Sequence, residues 1–255
     1  MGVHQRFDAA AYRIASPYFA KNSFSSLRQI HHFEGINGPD GLKIKSRGKD
    51  EPGHLYNPQT GEGEIPELIE THYAQLVTAL KEQDHVRIGF EAAWVAHYIC
   101  DGLTPAHHFP LNERLAEQPP AKETKKPRYQ HRVSLSGPTP GAMMKRNWAI
   151  WGGKGLLTTH FNFEMGVATA VLGHRIRVKL DHAKLAQARS LGPVPFFEEE
   201  ARSVAGLQLY EDFYRHGWNA RIARKVRNQL APQIVQCIAI TWLLASLEAD
   251  MAAVT

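Results

Sequence analysis

Cysteine is almost missing from this chain. Cys100 and Cys237 are the only two, which is too few for a disulfide framework, and no Cys-x-x-Cys pair is present to suggest a thiolate metal or redox site. Both are expected as reduced, buried, small side chains. Strand-like alternation is scarce, and no internal repeat or heptad array is visible, so sheet folds, solenoids and coiled coils have little to rest on. The stretch from Met1 to Asp8 lacks the apolar run of a secretory leader. The longest apolar run, Cys237 to Leu247, is too short to span a bilayer. No transmembrane segment is therefore expected. The expected location is the cytoplasm, with secretion the alternative if an export signal has been trimmed. A Gly-x-Ser-x-Gly elbow and a Gly-x-x-x-x-Gly-Lys loop are both absent, which leaves serine hydrolase and nucleoside-triphosphatase chemistry unsupported.

What is present points to one all-α domain over residues 1–255 with long surface loops. The chain has 255 residues, of which 43% are hydrophobic and 22% charged, enough to bury a sizeable core. Helical spacing of apolar residues covers about His4–Ala20, Pro66–Gln83, Asp84 onward through His97, Thr158–Leu191, Phe196–His216 and Asn219–Ala252, the last with a kink expected at Pro232. Residues 21–42 read as a polar connection and 43–63 as irregular. Residues 110–157 read as a Pro/Gly-rich insertion carrying Lys122, Lys125, Lys126, Arg128 and Arg132. The net charge of +5 favours anionic partners such as phosphate esters, nucleic acid or acidic lipid, although a basic solvated surface gives the same number.

The chemistry concentrates between Glu91 and Phe109. His97 and Asp101 are four residues apart and share one helical face. Val86, Phe90, Ala93 and Trp94 continue that face as an apolar stripe, so the polar pair is aimed at the core. Burying a carboxylate and imidazoles is costly unless they are paired or hold a cation. His160 and Glu164 repeat the spacing, with Val167 and Val171 extending their face. Imidazole and carboxylate donors together suit zinc, with iron or manganese less favoured.

These segments resemble the signature of the bacterial zinc-dependent phospholipases C, a family related to the fungal-type single-strand nucleases. The likeness rests on His97-x-x-x-Asp101, on Thr104-Pro105-Ala106-His107, on Asp40 with His54-Leu55-Tyr56-Asn57-Pro58 fourteen residues later, and on His160-x-x-x-Glu164. The resemblance implies an all-α bundle and a zinc cluster. Asp40, His54, His97 and Asp101 would hold one zinc, and His107, His160 and Glu164 a second. A third would share Asp101, with His4 the best match for its histidine and His31 and His32 as fallbacks. Asp40 would act as a ligand or would orient the attacking water. The implied activity is hydrolysis of a phosphodiester by a metal-activated water attacking in line, on a phospholipid or, in the nuclease branch, on nucleic acid. Peripheral membrane contact would accompany the lipid case. A non-catalytic metal-binding protein is a further alternative. The places that hold aromatic rings around choline in this family are occupied by Gly41 and Glu51, so a choline preference is not supported. A di-iron bundle needs Glu-x-x-His pairs on long helices. Glu51–His54 lies in a Pro/Gly loop and Glu82–His85 at a helix boundary, so that rival ranks lower.

Overall fold

The computed structural model describes residues 2–41, 54–108, 139, 141, 144, 148, 152–153 and 155–252. Most of the 110–157 insertion, including its basic run, lies outside the described residues, as does Glu51. Among the described residues the fold is all-α: α1 (Val3–Ala15), α2 (Leu27–Phe33), α3 (Ile65–Glu82), α4 (His85–Leu103), α5 (Leu156–Val171), α6 (His182–Leu191), α7 (Pro193–Ala205), α8 (Leu209–His216), α9 (Ala220–Lys225) and α10 (Ala231–Ala252).

Helix α4 is the centre. Asp84 caps it as expected, its Oδ1 accepting from the backbone N–H groups of Val86 and Arg87, both at 3.0 Å. Every residue of α4 from Gly89 onward is buried except Phe90, which is partly so. Helix α3 packs along it, α2 and α1 flank it, and α10 lies across both α3 and α4. The Trp242 indole N–H donates to Ala92 O at 3.0 Å and ties α10 to α4. The helical run Ala220–Asp250 is apolar and long enough to cross a membrane by composition, but 78% of its apolar window is buried inside this fold, as for the core helix of a bundle.

Not every buried acid on α4 needs a cation. Glu91 is paired within the protein, with His72 Nδ1 at 2.6 Å and with Arg87 Nη2 at 2.5 Å, although its Oε1 makes no hydrogen bond. Close packing also fixes α4 beside Asp101. A Cβ on Gly102 would fall 2.4 Å from Phe197 Cζ and 2.9 Å from Ile65 Cγ2. Gly102→Ala is expected to destabilise the fold by about 1–3 kcal/mol through overpacking, which urea or thermal unfolding measures directly.

Four boundaries differ from the sequence expectation, each for a local reason. Residues 21–42 contain α2, started by Ser26, whose side chain accepts from Gln29 N in a capping box. The stretch 158–191 is two helices, because the chain leaves α5 through Gly173 at φ +74 and runs without helix to α6. The stretch 196–216 is also two helices, starting earlier at Pro193 and interrupted before Gln208, which adopts φ 52. The irregularity expected at Pro232 appears as a π turn over Val226–Leu230, just before it. Proline lacks the N–H and crowds the carbonyl four residues back, and a widened turn relieves both.

Candidate metal centre

Two sets of ligand atoms converge. Among the described residues, His4, His97 and Asp101 bring one ligand atom each within 4.8 Å of one another, and so do His107, His160 and Glu164. Either set is able to bind a metal ion.

The first set joins α1 to α4. His97 and Asp101 stand one turn apart on α4, and His4 reaches in from the first turn of α1. The Nε2 atoms of His4 and His97 lie 3.3 Å from Asp101 Oδ1 and 3.4 Å from Asp101 Oδ2, respectively. His97 and Asp101 are buried. His97 Nε2 is enclosed and has no hydrogen-bond partner among the described residues. A buried donor or acceptor left unmatched is costly, and a metal ion would use this nitrogen's lone pair. Burial works against a charge on His97, but the neighbouring Asp101 carboxylate outweighs it and raises its pKa to about 9. Asp101 is held well below the usual carboxylate range, because the imidazoles of His107 and His97 outweigh its burial. A metal and a proton compete for the same nitrogen. Metal affinity at this set is therefore expected to rise with pH as the imidazoles lose their protons, a slope that competitive chelator titration across pH would record.

The second set is built where α4 ends. Thr104 precedes a proline, which disfavours helix at that position, and its N–H bonds Asp101 O at 2.9 Å. The chain then closes into the 3-10 turn Pro105–His108, which brings His107 back over Asp101, with Nε2 3.8 Å from Oδ1. His107 Nδ1 donates to His54 O at 2.8 Å. That bond selects the tautomer that carries its lone pair on Nε2. Nε2 of His107 and Nε2 of His160 lie 2.9 and 3.1 Å from Glu164 Oε1. Burial would raise the Glu164 carboxyl, but hydrogen bonds from His107 and His160 more than offset it and hold it well below its ordinary value. His160 Nδ1 is a second enclosed nitrogen with no partner among the described residues.

Both sets face one cavity of about 330 Å³, lined by His4, Asp40, His54, Asp101, His107, His160 and Glu164 among others. His97 sits beneath it. All eight residues singled out in the sequence are thus at or against one cavity, and His107, His160 and Glu164 are grouped as the resemblance implies, but the first set is not. His97 and Asp101 gather with His4. Asp40 and His54 fall in neither set: the exposed Asp40 carboxylate has Oδ1 3.8 Å from His97 Nε2, and the His54 ring meets that of His107 at a centroid distance of 5.2 Å. His31 is on α2 and its Nε2 donates to Gln5 O at 2.9 Å, which braces α1 against α2. His32 is exposed on the same helix. His108 also has a bracing role, its Nε2 donating to Gly102 O at 2.8 Å, while burial lowers its pKa to about 4.

Sequence reasoning missed Glu34. It is buried at the C-terminus of α2, and its Oε1 lies 3.2 Å from His4 Nδ1 and 2.8 Å from His97 Nδ1. The only signal for it was an acid just past a short helix that had been read as a polar connection. No protein-family model, curated protein or solved structure matches this chain.

Proposed function

We propose that the protein is a zinc-dependent phosphodiester hydrolase of the phospholipase C type. The observation that carries this reading is the pairing of two three-ligand sets across Asp101 on the wall of a single cavity. The donors are imidazoles and carboxylates, the mixture that zinc takes in catalytic sites. Bound zinc ions would polarise phosphoryl oxygens and acidify water.

The protein's own groups supply the rest. Asp101 sets the spacing between the two halves of the site. His54 O and Glu164 hold the His107 ring from its two nitrogens. Asp40, the exposed carboxylate at the cavity wall, is placed to accept a proton from an incoming water. Features outside the ligand sets favour an amphiphilic substrate. Phe161 and Met165 line the cavity and are 58% and 47% exposed, and Leu172, just past the end of α5, is 66% exposed. The exposed His174, Arg175, Arg177 and Lys179 follow directly. Exposed apolar side chains at the cavity, with cations following in sequence, suit an acyl chain and its phosphate better than a row of stacked bases.

The test is a hydrolysis panel of phospholipids and single-stranded nucleic acid, with and without chelator. Chelator-sensitive cleavage of phospholipid is expected. Cleavage of nucleic acid alone would move the protein to the nuclease branch. Zinc-loaded protein that turns over no phosphodiester would reduce it to a metal-binding protein.

A further inference from the structure

Among the described residues, Glu34 is the one buried carboxylate that touches two of the ligand imidazoles from behind. His4 and His97 are 93 positions apart in sequence and on different helices, yet their Nδ1 atoms lie 2.8 Å from each other and both within hydrogen-bond reach of the same Glu34 oxygen. The three atoms form a triangle on the side of the rings away from Asp101. The opposite nitrogens, both Nε2, face Asp101 at 3.3 and 3.4 Å.

The backbone explains how an acid comes to this place. Glu34 closes α2, and its N–H bonds Ile30 O at 3.1 Å. The chain then doubles over at Gly35, with φ +71, and Gly38, where a Cβ would lie 2.9 Å from Phe33 O and 3.0 Å from Glu34 Cα. This turn fits only if Gly38 lies against the Glu34 backbone. It leaves the Glu34 side chain under the two imidazoles and carries Asp40 round to the cavity wall. One short segment therefore supplies a group on each side of His97.

We propose that Glu34 is a positioning residue for the first metal set: it accepts the Nδ1–H of His97, stands within reach of His4 Nδ1, and so turns the Nε2 atoms of both rings toward Asp101. A histidine that ligates a metal through one nitrogen usually gives its other N–H to a carboxylate or carbonyl, and that partner fixes ring orientation and raises basicity. Here one carboxylate serves two rings on two helices. A purely structural ion pair accounts for the burial of Glu34. It does not by itself fix His97 Nε2, which makes no hydrogen bond and faces the Asp101 carboxylate at 3.4 Å on the opposite side of the ring. That nitrogen is accounted for when the ring is held for a ligand. His107 shows the same design with a different acceptor, since His54 O takes its Nδ1–H. The dual contact also ties metal affinity at this set to the docking of α1, because His4 reaches the site only while α1 stays packed.

This inference rests on the proposal that the protein binds zinc, and the experiment separates the two. Zinc-loaded wild type, Glu34→Ala and Glu34→Gln are titrated with a competing chromophoric chelator, and helical circular dichroism and melting are recorded alongside. Long-range imidazole ¹H–¹⁵N NMR of the zinc-loaded wild type reads the tautomers. The expected result is Nδ1–H at His97, with one zinc weakened roughly 10–100-fold in Glu34→Ala. Glu34→Gln keeps an acceptor oxygen of nearly the same shape, so it should fold like wild type and lose less affinity. The zinc at His107, His160 and Glu164 should be unchanged in both variants and serves as the internal reference. Unaltered affinity at both zincs in folded Glu34→Gln and Glu34→Ala would overturn the inference and leave the zinc reading standing. If Glu34→Ala does not fold, Glu34→Gln decides alone, and undiminished zinc affinity in it overturns the inference. A wild type that binds no zinc would overturn both.

Discussion

Asp101→Ala is expected to cut hydrolysis on the order of 10³-fold or more while the protein remains helical. Asp101 lies against both Nε2 atoms of the first set and 3.8 Å from His107 of the second. Its removal takes the only carboxylate from the first set and withdraws the shared edge of the second. Losing a metal that stabilises transition-state charge costs several kcal/mol, and about 4 kcal/mol corresponds to roughly 10³ in rate. The loss should fall on kcat as well as on kcat/KM, because positioned charge matters most in the transition state. Asp101→Asn keeps the size and one acceptor but not the charge, so it should bind metal weakly and remain far below wild type. Steady-state kinetics on the best substrate of the panel, with zinc content measured for each variant, provides the check. A fall in KM-type binding alone would mean that Asp101 only shapes the cavity.

The second large effect separates His97 from His160. Both are ligand candidates, and either alanine variant should lose about one zinc. Their effects on stability should differ sharply. His97 is buried, and its removal leaves Glu34, also buried, with His4 as its remaining partner. Breaking a buried ion pair from one side costs about 3 kcal/mol or more, and the deleted ring leaves a void that adds to it. His160 lines the cavity, with 12% of its side chain exposed, and Glu164 keeps His107 when it is gone. Metal-free His97→Ala should therefore unfold at clearly lower urea than metal-free wild type. Metal-free His160→Ala should stay within about 1 kcal/mol of it, as expected for a site with a solvent-facing edge. Equal destabilisation by the two would contradict the burial pattern on which the first set depends.

The sequence carried the helical architecture because long apolar stripes at 3.6-residue spacing dominate it. It carried the i, i+4 ligand pairs for the same reason, since His97–Asp101 and His160–Glu164 need only one helix each to meet. It could not carry what depends on how separate helices meet. The resemblance paired His4 with Asp101, but that His97 shares their set depends on α1 packing beside α4, and no local pattern encodes that angle. Asp40 and His54 fit a spacing but belong to neither converged set, because the fold directs the two segments to the rim of the cavity. Glu34 was invisible for a related reason: a seven-residue helix leaves little periodicity to read. Asp8, a buried acid on α1, was likewise hidden among ordinary polar positions. The breaks at Gly173 and Gln208 were missed because turn conformations there interrupt stripes that otherwise continue in register.

The most direct test is anomalous diffraction from zinc-soaked crystals, collected on both sides of the zinc absorption edge. Two peaks are expected, one among His4, His97 and Asp101 and one among His107, His160 and Glu164, with Asp101 between them. Absence of a peak at both places, in crystals of protein that had been offered zinc, would contradict the metal centre and the hydrolase built on it.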